Sequence, residues 1–368
     1  AITGATTISA SGQDITLDEA ASTFGTLALT GANVAVTENA ATDLGASTVG
    51  GTLGITSTGA VTDSGTLAIT GATTISASGQ DITLDEAAST FGTLALTGAN
   101  VAVTENAAMD LGASTVSGTF GITSGGAITD SGTQAITGAA TFTNTAGTND
   151  AITLDDASNA FSGTVTLSTD SGSAVTVVDT TALDLLALSA ASLSVTAGGA
   201  VTDSGTLAIT GATTISASGQ DITLDEAAST FGTLALTGVN VAVTENAATD
   251  LGATTVSGTL GITSAGAVTD SGTLAITGAT TISASGQDIT LDDAASTFGT
   301  LALTGANVAV TENEATDLGA STVSGTFGIT SGGAITDSGT QTITGAATFT
   351  NTAGTNDAIT LDDVSNAF

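Results

Sequence analysis

The chain has 368 residues, of which 35 are Asp or Glu and none is Lys, Arg or His, giving a net charge of −35. With no cationic side chain to neutralise phosphates, nucleic acid and anionic lipid are not expected as partners. With no His or Cys, there is no imidazole base, thiolate nucleophile or soft-ligand zinc site.

Hydrophobic residues make up 41% of the chain, too many for a disordered acidic tail, so the chain is expected to fold. Trp and Tyr are absent, which removes the usual stacking platforms for sugars and bases. No apolar run approaches the length of a membrane-spanning helix, and membrane insertion is not expected. Zero Cys means no disulfide and no redox signature of a compartment.

Read in chain order, the opening segment AITGATTISASGQDITLDEAASTFGTLALTG (1–31) returns at Ala68. Variants of its start recur at Ala135, Ala208, Ala275 and Thr342. The repeats are therefore 1–67, 68–134, 135–207, 208–274, 275–341 and a partial 342–368, and residues 1–161 match 208–368 in a super-repeat of 207. Residues 1–67 and 208–274 differ at four positions, all exchanges of small residues. The pattern reads as a window from a longer array.

Each repeat divides into pieces of 25, 25 and 17 residues, as in 92–116, 117–141 and 75–91. Within them, short alternating apolar runs at 82–84, 94–96, 101–103 and 120–122 are separated by Gly, Asn, Asp and Ser. These predict strands of four to six residues between turns. Only 181–192, TALDLLALSAAS, admits a helix, with a longer strand as the other reading.

Short strands without hairpin signatures predict an all-β fold, a parallel β-solenoid (β-helix) forming one continuous solenoid over 1–368. Right-handed winding follows the general handedness of parallel crossovers. Each piece would make one coil of three strands, so three coils per repeat and about 16 coils in all. At ~4.8 Å per coil the length would be about 75–80 Å. Pro is absent, as expected where nearly every backbone N–H pairs with the next coil. Phe24, Phe91, Phe161, Phe231, Phe298 and Phe368 close the short pieces and are expected as core plugs. Thr70, Thr73 and Thr74 are expected in outward rows, where β-propensity accounts for them.

The strings VTDSGTLAITGATTISASG, DITLDEAASTFGTLALTGANVAVTENA and SGGAITDSG resemble the repeat regions of filamentous-haemagglutinin-like or β-strand-repeat surface proteins, which are large secreted bacterial proteins. The resemblance spans the chain and concerns repeat style. It implies an extracellular, cell-surface location in a bacterium and a role as stalk, fibre or adhesin. The partners it suggests are further copies of the same repeat, by chain continuation or head-to-tail stacking.

Carboxylates are the strongest chemical groups available. The adjacent pairs Asp18–Glu19, Asp85–Glu86 and Asp225–Glu226 could run glycoside hydrolysis only at a suitable separation in a cleft. Pairs recurring in copy after copy do not resemble a singular active site, and no enzyme activity is expected. Aligned pieces would stack Glu105, Asp130 and Asp155 at 25-residue intervals, a ladder whose hard oxygens suit Ca²⁺. The nonapeptide of calcium-loaded β-rolls is absent, so a solvated acidic face is the simpler reading. No cofactor other than Ca²⁺ is implied. A Ca²⁺-dependent adhesin is the alternative to a structural segment; an ice-binding threonine array is a remote one.

Overall fold

The computed structural model describes residues 1–145, 150–352 and 357–368. Among these every regular element is a β-strand, and no helix is long and apolar enough to cross a membrane. Neighbouring strands pair in parallel, as in Val34–Glu38 against Leu53–Ser57 and Val101–Glu105 against Phe120–Ser124. The fold is a β-solenoid. Two compact units comprise Ala1–Ala190 and Ala191–Phe368.

The strands of each coil are arranged on two faces, and a coil such as Leu53–Ser57, Val61–Asp63 and Leu67–Ile69 has the three strands expected. In the first unit one face stacks Thr26–Gly31 under Thr42–Leu44 and Ser47–Val49. Val61–Asp63 and Leu67–Ile69 follow, then Ile82–Leu84 with a bridge at Thr90. The other face stacks Val34–Glu38, Leu53–Ser57, Ala72–Ser76 and Thr93–Gly98. Paired residues are separated by 17 residues (Leu27 to Leu44) up to 25 (Ala140 to Val165).

One 67-residue repeat therefore spans seven half-coils, close to the about three coils expected, but the coil boundaries do not follow the pieces of 25, 25 and 17. Those pieces follow sequence similarity, whereas coils follow hydrogen-bond register. Because seven is odd, successive copies exchange faces. Thr26–Gly31 lies on one face and its copy Thr93–Gly98 on the other. The second unit does the same with Thr233–Gly238, which pairs with Thr254–Val256, and Thr300–Gly305, which pairs with Ala279–Ser283.

The strands are amphipathic with period two. Thr26–Gly31 buries Leu27 and Leu29, and Leu53–Ser57 buries Leu53 and Ile55, while the alternate residues face out. Within each unit both faces contribute to the apolar interior. Phe120, Phe142 and Phe161 pack inside it edge-to-face, with centroids 5.8 and 5.9 Å apart. Phe91, Phe231 and Phe298 are buried as expected. Phe24 is half-buried, and Phe368 is 58% exposed. Residues 181–192 form the short strands Leu183–Leu185 and Leu188–Ala190, not a helix.

Corners are turned by glycine where geometry demands it. Gly79 has φ +74 in the turn closed by Gln80 N–H donating to Ala77 C=O. A Cβ at Gly92 would meet the carbonyl oxygens of Thr70 and Gly71 at 2.5 and 2.6 Å.

Thr73 departs from expectation. It points inward, fully buried between Leu53 and Leu94, and its hydroxyl, like those of Thr213 and Thr280, has no hydrogen-bond partner. Parity places Thr73 opposite Thr74, which is exposed. An unpaired buried hydroxyl costs stability that an isosteric methyl restores. Thr73→Val is expected to stabilise by about 1 kcal/mol in urea unfolding, whereas Phe142→Ala should destabilise by about 3–5 kcal/mol. Loss of stability in Thr73→Val would contradict the buried placement.

Candidate functional site

The chemistry-bearing residues are carboxylates, and the fold uses them in recurring positions. Glu38, Glu105, Glu245 and Glu312 each end the strand after a TLALTG strand. Alternation places each on the same side as the two preceding valines, so these carboxylates are 1–2% exposed. One oxygen accepts a backbone N–H from the phenylalanine 14 residues earlier, at 2.6 Å for Phe24, 2.7 Å for Phe91 and Phe231 and 2.8 Å for Phe298.

The second oxygen differs between copies. At Glu38 and Glu105 it is buried without a partner, whereas at Glu312 it accepts from Thr316 Oγ1 at 2.8 Å. Glu105 has Met109 at the position of that threonine. Burial pushes the Glu105 carboxyl up to about 7 and Glu312 to about 6, against the lowering effect of these donors. Glu245 is also raised by burial. Asp179 repeats the device, accepting from Phe161 N–H at 3.2 Å, and burial raises it as well.

A second recurring group caps the acidic turn of the next coil. Asp63 accepts from the backbone N–H groups of Asp85 and Glu86, Asp203 from Asp225, and Asp270 from Asp292 and Asp293. Asp130 accepts from Asp155 N–H at 2.8 Å, from Asp156 N–H, and from Asn159 Nδ2 at 2.6 Å. Burial raises Asp63, Asp130, Asp203 and Asp270, and the neighbouring turn carboxylates push the same way. At Asp337 burial is slight, and donors from Asn366, Asp362 and Asp363 hold the carboxyl below its usual range.

Outward side chains form three-coil ladders. Asn100 donates to Asp81 through its backbone and Nδ2, and its Oδ1 accepts from Thr119 N–H and Oγ1. Asn33, Asn240 and Asn307 repeat this arrangement. Thr93 and Ser131 likewise share Asp110 Oδ2 from the coils on either side.

The structure brings Asp130 and Asp155 to adjacent coils and separates Glu105 from them. Glu105 pairs in register with Ser124 on one face, while Asp130 pairs with Leu111 on the other. The expected 25-residue alignment fails here because the coils in this stretch are shorter. Among the described residues no group of three or more carboxylates is arranged to hold a metal ion. The pair Asp85–Glu86 has its backbone tied to Asp63. Two surface grooves of about 440 Å³ contain between them one carboxylate, Glu314.

Sequence reasoning missed the buried glutamates, although Val34, Val36 and Glu38 share one parity in VAVTE and so share one side of the strand.

A family model described as repeats of unknown function (DUF5649) matches residues 1–30, 31–97, 98–168, 172–237, 238–304 and 305–368. No curated protein and no solved structure matches the chain.

The capping role gives a direct expectation. Asp130→Ala leaves the Asp155 and Asp156 N–H groups and Asn159 Nδ2 without their acceptor. It should cost about 1–3 kcal/mol and accelerate amide exchange at Asp155 and Asp156. Unchanged exchange at both would contradict the assignment.

Proposed function

This chain belongs to the family of repeats of unknown function (DUF5649), and we propose that it is a structural segment of an extracellular bacterial fibre or stalk, serving cell-surface architecture, attachment or a biofilm matrix. The observation that carries this reading is the use made of the polar groups. Asp–Asn–Thr ladders, buried glutamates and turn-capping aspartates recur from copy to copy, each tying one coil to the next. Such groups hold a solenoid together without converging on a single cleft. Stability in repeat architectures is a sum of such nearest-neighbour contacts, which lets an array lengthen by adding copies.

The extracellular location and the partnership with further copies of the repeat rest on the resemblance to secreted bacterial repeat proteins. The acidic surface fits that setting: 35 carboxylates without a cation disfavour nucleic-acid contact and keep neighbouring molecules apart at low salt. Antibodies raised against residues 1–368 should label intact cells of the producing bacterium, and negative-stain images of the parent protein should show thin fibres. Labelling confined to lysed cells would overturn the extracellular assignment.

In this reading calcium is not required for folding, because Glu105 lies on the face away from Asp130 and Asp155. Thermal melting should be unchanged by EDTA. A large fall in melting temperature on chelation, restored by Ca²⁺, would favour the calcium-dependent adhesin instead.

A further inference from the structure

Glu105, Glu245 and Glu312 occupy one structural position in three copies, each beneath a corner closed by a buried phenylalanine. Each has its carboxyl inside the solenoid wall, with a single backbone N–H on one oxygen. The second oxygen is unpartnered at Glu105 and meets only a threonine hydroxyl at Glu312. One N–H is a small replacement for the hydration of a charged carboxylate. A proton on the second oxygen removes that charge while leaving the Phe N–H acceptor in place. We propose that Glu105, Glu245 and Glu312 are proton-binding sites that lock these corners, closed when the carboxyl is neutral and loosened when it ionises.

The charged groups on the elements packed against each site are carboxylates, and none of them favours ionisation. Below Glu105, the turn after Ile82–Leu84 carries Asp85 and Glu86; above it, Phe120–Ser124 has no titratable group. Glu245 has Asp225 and Glu226 on the corresponding turn and none on Leu260–Ser264. Glu312 has Asp292 and Asp293 below, none on Phe327–Ser331, and Glu314 on its own turn, whose charge raises it further. No Lys, Arg or His exists to favour ionisation.

A carboxyl that binds its proton more tightly folded than unfolded makes the folded state take up protons between the two values. Stability therefore rises as pH falls from above the folded value, about 7 at Glu105, towards the ordinary glutamate range. It is lost again as pH climbs through the folded value.

The chain contains eight glutamates, so selective ¹³C labelling of the glutamate carboxyl carbons gives a resolvable titration. One resonance should titrate near pH 7 and disappear in Glu105→Gln. Met109→Thr, which restores the residue found at this position in the other three TEN-containing copies, should move that titration downward towards the Glu312 value. The urea midpoint of the parent chain should rise from pH 8 to pH 5, and the triple variant E105Q/E245Q/E312Q should lose most of that rise. If all eight glutamates titrate at ordinary values, or if the triple variant keeps the full pH dependence, the proposal fails. In the second case the other carboxylates, the aspartates raised by burial among them, would be the source of the acid stabilisation.

Discussion

The backbone hydrogen-bond ladder between one half-coil and the half-coil of the next turn is the constraint on which everything else depends. Parallel pairing in strict register leaves a strand two sides, one apolar and one exposed. Leu27, Leu44, Ile82 and Val103 face inward because each sits at an inward register position, not because of local hydrophobicity alone. The ladder also decides where each repeat copy lies. Seven half-coils return the sequence to the opposite face, so each strand motif must fit both faces of the solenoid.

Absence of cations sets the second constraint. In most proteins a buried carboxylate finds an Arg or Lys; here only N–H and O–H donors exist. Asp130 has several backbone and side-chain donors and sits at the coil margin, whereas Glu105 has one and sits inside. Charge-assisted hydrogen bonds to several donors offset much of the cost of leaving water. A single donor does not, which is why burial dominates at Glu105. The replacement of the Thr316 equivalent by Met109 takes away a hydroxyl and accounts for the higher value at Glu105 than at Glu312.

The all-β solenoid was legible in the sequence because alternation and near-identical repeats report strands and stacking without any long-range information. The coil length was not legible. Similar strings at 25-residue spacing suggested coils, but Val101 pairs with Phe120 and Leu94 with Leu111, partners the repeat alignment does not match. Register is set by turn geometry as well as by similarity. The inward placement of Thr73 was hidden because Thr is favoured on exposed strand surfaces, although the parity of ATTIS puts it on the same side as Ile75. Of the candidate ladder, Asp130 and Asp155 do neighbour each other, while Glu105 belongs to the phenylalanine corner.

Parity also explains how repeats of unequal length keep the same residues buried. A one-residue change inside a strand would turn its inward set outward. At a corner, extra residues leave parity unchanged on either side. Ile75 and Ile82 are seven residues apart in one copy, and their counterparts Phe142 and Ile152 are ten apart. The strands that flank this difference in length are Ala140–Asn144 and Ile152–Leu154. Phe142 and Ile152 both remain fully buried, and Ile152 keeps its parallel partner Ile128 on the neighbouring coil. The difference in length thus leaves the inward parity of both flanking strands unchanged, and Phe142 stands where the shorter copy holds Ile75.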